Sequence, residues 1–270
     1  MSVDYAHYKW PEIPKVIENK GVAILPLGAT EEHGPHLPLD VDTEITVNIC
    51  REAAKITNKD VVLPPIPFGF ETHHMGIPGT IDIPSDILID FGKAVTNSLA
   101  HHGFKHILLV NGHGSNRPII ELIARNTIIE NPDTLCASIS WWELKDVRDA
   151  AEGIVSEEAT SHGCDLETSV YMHLHPDKVD MDLAVADGLG KPTPHFWSDL
   201  LGRRPEGFKN PAKMMEIWDT FTSTGVRGNA KVASEEKGKV LFDAAKQELA
   251  DLLDEFREKK PGKPMGPNSI

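Results

Sequence analysis

Within the fifteen residues from Gly28 to Asp42, GATEEHGPHLPLDVD, stand Glu31, Glu32, His33, His36, Asp40 and Asp42, side chains able to hold a cation or move a proton. Histidine together with several carboxylates suits a divalent metal such as zinc or manganese. Glu31 and His33 are two apart, so in extended backbone their side chains leave on the same side. Pro35 and Pro38 forbid a helix and stiffen the path back to Asp42. The same composition would serve a solvated acidic loop with two incidental histidines, so the decision rests on the rest of the chain.

Two further segments add to the set. Asn111-Gly-His113-Gly-Ser-Asn116 places a histidine between glycines, where the backbone can turn sharply and come close to a ligand. Ser161-His-Gly-Cys-Asp-Leu-Glu167 adds a histidine and two carboxylates. Glu31, His33, Asp42, His113 and a carboxylate from this last segment suffice for two ions. Such a pair activates water and polarises a carbonyl, and needs a shared carboxylate. Asp42, short and at the end of a stiffened turn, is the natural bridge. Ser115 lacks the flanking glycines of a nucleophile elbow. The chain also has no GxGxxG or phosphate loop, which argues against dinucleotide and nucleoside-triphosphate chemistry.

These residues must be carried by a framework, and the apolar pattern supplies one. Val22–Leu27, a run beginning at Val61 and Lys105–Val110 read as buried strands. The third, apolar and flanked by glycines, has the character of a central parallel strand. The acidic loop and the His113 turn both leave strand ends, where α/β proteins place their ligands. Helical spacing predicts a helix opening near Asp42 or Thr43, others over Ser85–His102 and about Pro118–Ile129, and a final one capped by Ser234. A strand is expected at Leu135–Ser140. Strands alternating with helices imply an α/β sheet covered on both faces. With no repeat and no linker, residues 1–270 are read as one domain. Asp187–Asn229 lacks clear periodicity and is expected to run over the surface, its aromatic residues buried between subunits.

Composition narrows the partners. With 270 residues, 40% apolar and 25% charged, the chain reads as globular. A net charge of −14 without a basic stripe argues against nucleic acid. No apolar run approaches membrane-spanning length, and the start lacks a signal-peptide core, so a cytoplasmic location is expected. The three scattered cysteines suit a reducing compartment.

GATEEHGPHLPLDVD, the His74–Thr80 turn HMGIPGT, NGHGSN, HGCDLETS and ASEEKG, in this order, resemble the creatininase family of amidohydrolases. That resemblance implies a three-layer α/β/α fold with a mostly parallel central sheet and a homo-oligomer, with which a hexamer is consistent. It also implies two divalent metal ions per chain (Zn, Mn or Fe) and hydrolysis of a small, often cyclic, substrate by a metal-bound hydroxide attacking the carbonyl carbon. By the same resemblance Glu31, Asp42 and His113 hold one ion, and His33, Asp42 and a further carboxylate the other. His162 matches the histidine placed for proton transfer. The chain departs from creatininase proper at Ser115, where a metal-binding carboxylate is expected. It also has Glu158 and Ala159 where a substrate-closing tryptophan and aspartate belong. Glu167 is the replacement carboxylate expected here, its alternative role being a helix cap. Without the substrate-closing tryptophan and aspartate, creatinine is not the expected substrate. Formamides, peptides and inositol-derived ring ketones are substrates within the family, and a non-catalytic metal- or ligand-binding protein is the alternative of another class. His36 and His74 are expected near the site. His73, His101, His102, His106, His173, His175 and His195 are read as surface or structural, Trp141 and Trp142 as core, and Arg203-Arg204 as a solvated pair.

Overall fold

The computed structural model describes residues 2–156, 160–190 and 192–262. Glu158, Ala159 and the last part of the basic, proline-containing tail that begins at Lys259 lie outside the described residues.

Strands β1 (Ala23–Leu27), β2 (Val61–Val62), β3 (His106–Asn111) and β4 (Leu135–Ser140) form one parallel sheet in the order β2-β1-β3-β4. β1 and β3 are in register from Ala23 opposite Ile107 to Leu27 opposite Asn111, so their ends lie side by side. Alternation along these strands divides the core in two. Val22, Ile24, Val62, Leu108 and Val110 face one apolar layer. Ala23, Leu25, Leu27, Ile107 and Leu109 face the other.

Helices cover both faces. α2 (Val41–Thr57), α5 (Lys145–Ala151), α6 (Asp165–Leu174) and α7 (Glu235–Glu258) pack together on the first. α1 (Ile13–Glu18), α3 (Ser85–His101) and α4 (Arg117–Glu130) lie on the second. The three-layer arrangement with a parallel sheet is thus the one expected. Trp141 and Trp142 are fully buried in the first layer.

Element ends differ from expectation for local reasons. α2 begins at Val41 with Asp40 at its N-cap position, so neither Asp42 nor Thr43 caps it. Thr43 instead donates its hydroxyl to the carbonyl of Ala29 at 3.2 Å, lashing the acidic loop to the helix. Asp42 falls in the first helical turn, where the helix dipole favours an anion. Ser85 is the first residue of α3, with Pro84 at its N-cap position, and the helix ends at His101, one residue short of the expected His102. Ser234 does cap α7, its hydroxyl accepting from the Lys237 amide at 3.3 Å. Among the described residues no helix is long and apolar enough to cross a membrane.

The Asp187–Asn229 excursion is anchored by a two-stranded antiparallel ribbon, β5 (Ala186–Asp187) with β6 (Gly228–Asn229). It is not wholly superficial. Trp218 turns inward and is buried, its indole N–H donating to the Gly225 carbonyl at 2.8 Å. Phe196 and Met214 of the same excursion remain exposed. Arg203 is half-buried rather than free: it holds Asp199, the carbonyls of Val155 and Ser156, and Thr160. Arg204 does lie at the surface.

Candidate metal centre

The site sits beyond the C-terminal ends of β1 and β3. Each sequence segment enters it by a different route. The acidic loop leaves β1 and delivers Glu31 and His33, and the first turn of α2 delivers Asp42. The turn after β3 delivers His113. Gly112 makes that meeting possible, because a Cβ there would lie 2.1 Å from Thr46 Oγ1 and 2.4 Å from the Asp42 carbonyl oxygen. The first turn of α6 delivers Glu167, and the preceding bridge to Arg227 holds His162.

All six predicted side chains are buried together. Asp42 lies at the centre: Oδ1 is 3.1 Å from His33 Nε2 and Oδ2 is 3.1 Å from His113 Nδ1. Glu31 Oε1 is 2.7 Å from His113 Nδ1 and 3.8 Å from His33 Nε2. Glu167 Oε2 is 3.9 Å from the same His33 nitrogen and accepts from the Gly163 amide at 2.7 Å. The oxygen that accepts from the Gly163 amide is therefore also the one turned towards His33. His33, Asp42 and Glu167 form one group able to enclose an ion.

Four residues not assigned as ligands complete the surroundings. His74 Nδ1 lies 3.1 Å from both Glu31 Oε2 and Glu32 Oε1. Trp218 stacks on His74 at 4.2 Å and meets His162 edge-on at 5.1 Å. Glu71 is completely buried, with Oε1 2.8 Å from His113 Nε2. His36 was expected nearby, and it ties the loop to α6 with Nε2 2.9 Å from Thr168 Oγ1. Nothing periodic marks Glu71 or Trp218 in the sequence. His73 is buried rather than superficial, its Nε2 3.0 Å from Ser115 Oγ. His106 is buried and structural, with Nε2 2.9 Å from the Lys259 carbonyl.

The electrostatics are those of an acidic cluster short of positive charge. Burial pushes Glu31 well above the ordinary carboxylate range, and Glu71 and Asp42 add to it against the opposing pull of His113. Burial also disfavours the charged form of His33, yet Asp42 and Glu167 outweigh it and raise the imidazole to about 9. Glu32 is the reverse case: burial would raise it, but His162 and His74 bring it down to about 2. Burial lowers His74 to about 2, and the neighbouring histidines reinforce that. Among the described residues, Glu31 Oε2, both Glu71 oxygens and His113 Nε2 lack a hydrogen bond despite full burial. Buried polar atoms without partners are costly. An oxygen-and-imidazole pocket of this kind fits hard or borderline divalent ions.

A family model for creatininase, described as creatinine amidohydrolase, matches residues 6–253. The chain belongs to the creatininase family. Its relatives in that family of hydrolases are diverse. The 3-dehydro-scyllo-inosose hydrolase of Thermotoga maritima is 27% identical over 262 residues, covering 95% of this chain and 84% of that protein. The creatinine amidohydrolase of Pseudomonas putida is 27% identical over 272 residues, covering 94% and 97%. The mycofactocin precursor peptide peptidase of Mycolicibacterium smegmatis is 28% identical over 251 residues, covering 89% and 87%. Among solved structures, a manganese creatininase superposes with a TM-score of 0.78 at 25% identity, over 96% of this chain and all of that one. The creatininase motifs are therefore set on the creatininase framework along almost the whole chain.

Proposed function

We propose that this member of the creatininase family is a hydrolase working with two divalent ions, zinc, manganese or iron, on a small amide or related carbonyl compound. The observation that carries the reading is the placement of Asp42, whose two oxygens face two different histidines at 3.1 Å each. Glu31, Asp42 and His113 would hold one ion, and His33, Asp42 and Glu167 the other. When bound, such a pair supplies an activated water and a Lewis acid for the substrate carbonyl.

The protein's own groups shape the rest. His162 Nε2 is held against the Glu32 backbone carbonyl, which requires that nitrogen to carry the N–H and leaves Nδ1 with the free lone pair. Nδ1 is also the nitrogen turned towards Glu31, 3.8 Å from Oε1. It is thus placed to take a proton from the attacking water and return it to the departing group. In an amide the water oxygen joins the carbonyl carbon, the C–N bond breaks and the nitrogen leaves with that proton. Trp218 and His74 form an aromatic wall beside this position, suited to a flat or cyclic substrate.

Creatinine is not the substrate this reading favours, because Glu158 and Ala159 stand where creatininase proper has the tryptophan and aspartate that close over creatinine. The test is a panel of lactams, formamides, lactones, short peptides and ring ketones, run on chelated protein and on protein reloaded with Zn²⁺ or Mn²⁺. Turnover restored by metal on one class supports the proposal. A single, fully protein-coordinated ion with no turnover on any class would favour a non-catalytic binding protein. The exposed apolar residues Phe196, Met214 and Met215 support assembly into a homo-oligomer, which sedimentation showing a monomer at micromolar concentration would refute.

A further inference from the structure

The aromatic wall beside His162 adjoins a cation that no carboxylate holds closely. Arg227 lies opposite His162 in an antiparallel bridge. The His162 amide donates to the Arg227 carbonyl at 3.1 Å, and the Arg227 amide donates to the His162 carbonyl at 2.8 Å. Residues directly opposite in such a pair send their side chains to the same face. The guanidinium therefore leaves the backbone on the side that carries the His162 imidazole into the site. We infer that Arg227 binds a carboxylate of the substrate, so that the compound hydrolysed here carries an acid group besides its scissile carbonyl. The inference rests on the hydrolase reading above and adds a substrate class to it.

Three observations converge on this side chain. First, its charge is poorly matched. Among the described residues, Arg51, Arg117, Arg203 and Arg257 each hold a carboxylate oxygen at 2.7 to 3.3 Å. Arg227 has only Glu216, at 4.0 Å and itself exposed, and its Nε is buried without a hydrogen bond. A buried donor left open is costly, and burial lowers the Arg227 pKa against the pull of Glu216. Second, a ligand can reach it, since 21% of the side chain is exposed. Third, it touches the wall of the site. The guanidinium carbon stands 5.9 Å from the centroid of Trp218 and 4.9 Å from that of Phe221. Trp218 is also the ring that stacks on His74 and meets His162 edge-on, so the imidazole and the guanidinium are neighbours of one indole.

The surrounding chain holds Arg227 in this position. Val226 beside it is fully buried, and the Trp218 indole N–H donates to the Gly225 carbonyl at 2.8 Å, tying the ring to the residues that precede the arginine. Gly188 lies against the same segment: a Cβ there would stand 2.6 Å from the Val226 carbonyl oxygen and 3.1 Å from Arg227 Cα. A guanidinium is a planar fork that meets a carboxylate with two parallel hydrogen bonds. A flat, singly charged acid suits one such fork beside aromatic rings. A phosphate dianion would bring a second negative charge towards Glu216.

Matched acid and amide probes test this. Zinc-loaded protein is titrated calorimetrically with pyroglutamate, N-formylglycine and N-formyl-β-alanine, each beside its own carboxamide, which sets a carboxylate at different distances from a hydrolysable carbonyl. At least one acid should bind about 10-fold or more tighter than its amide. Arg227→Met should erase that advantage while the ions bound per chain and the amide affinities stay as in the parent. Arg227→Lys keeps the charge without the fork and should lose part of the advantage. No acid binding better than its amide in the parent would overturn the inference. So would an advantage that survives in Arg227→Met, because the carboxylate would then sit on the ions. Should Arg227→Met fail to fold, an undiminished advantage in Arg227→Lys would overturn it instead. An advantage lost in Arg227→Met, with no metal-restored turnover on any compound, would overturn the hydrolase reading while upholding Arg227 as a carboxylate site.

Discussion

Two buried ionic clusters lie at opposite ends of the same sheet. At the end where the strands begin, Asp60 and Arg257 are both buried and almost completely satisfied. Asp60 accepts from the Val22 amide at 2.7 Å, from the Thr57 hydroxyl at 2.6 Å, and from Arg257 Nη1 and Nη2 at 2.7 and 3.0 Å. One carboxylate meets one guanidinium, and the pair joins α7 to the start of β1. At the end where the strands finish, Glu31, Asp42, Glu71 and Glu167 crowd around His33 and His113, and several of their atoms have no hydrogen bond. Burial of charge is common to both. What differs is closure: among the described residues only Arg257 Nε of the first cluster lacks a hydrogen bond, whereas the second leaves open Glu31 Oε2, both Glu71 oxygens and His113 Nε2. A closed pair serves the fold, and an open cluster is the kind that a bound cation would complete.

The largest effect expected from breaking this contrast is at Asp42. Asp42→Asn leaves only one weak oxygen donor in place of two charged ones. Both ions should be lost together, and turnover should fall by roughly 10³-fold or more. Metal analysis after dialysis checks this, and a variant keeping two ions and normal turnover would remove Asp42 from the bridging position. Glu167→Gln should act on one side only. One ion position empties, the fold persists, and activity falls by about 100-fold. If both ions stay and only a little thermal stability is lost, the carboxylate is a cap for the Gly163 amide.

At the closed cluster the effect should appear in stability instead. Arg257→Met strands the Asp60 carboxylate and should cost about 3–5 kcal/mol, a fall in Tm of roughly 10 °C, with ion binding unchanged. A variant that melts normally would erase the contrast. The smallest effect has the opposite sign. Burial, Glu71 and Asp42 hold the Glu31 carboxyl above its unfolded value. In chelated protein its ionisation therefore opposes folding, and stability falls as pH rises above the ordinary carboxylate range. Glu31→Gln should raise the chelated protein's stability at pH 8 by on the order of 1 kcal/mol, while weakening it in the presence of metal. Thermal melts with and without chelator read both signs. An equal loss in both conditions would show a closed structural cluster.

Much of this was legible in the chain, and the limits were physical. Leu25 and Leu109 lie in apolar runs long enough to mark buried strands, and the residues following those runs had to lie at strand ends. Glu31, His33, Asp42 and His113 could thus be brought together from two loops without knowing the packing. His162 and Glu167 came from motif resemblance, because nothing in their own spacing points to β1. Glu71 was hidden because its contact with His113 depends on which loop lies opposite that turn. Trp218 was hidden for a similar reason. The excursion that carries it has no periodicity, and its inward turn is seen only in contacts with His74, His162 and the Gly225 carbonyl.

The most direct measurement is the number of ions the unmodified chain holds. Chelated protein titrated with Zn²⁺ or Mn²⁺, with bound metal counted per chain and Tm followed in parallel, should reach two ions and gain thermal stability as the open cluster is filled. A chain that saturates at one ion, or binds none and melts unchanged, would contradict the account.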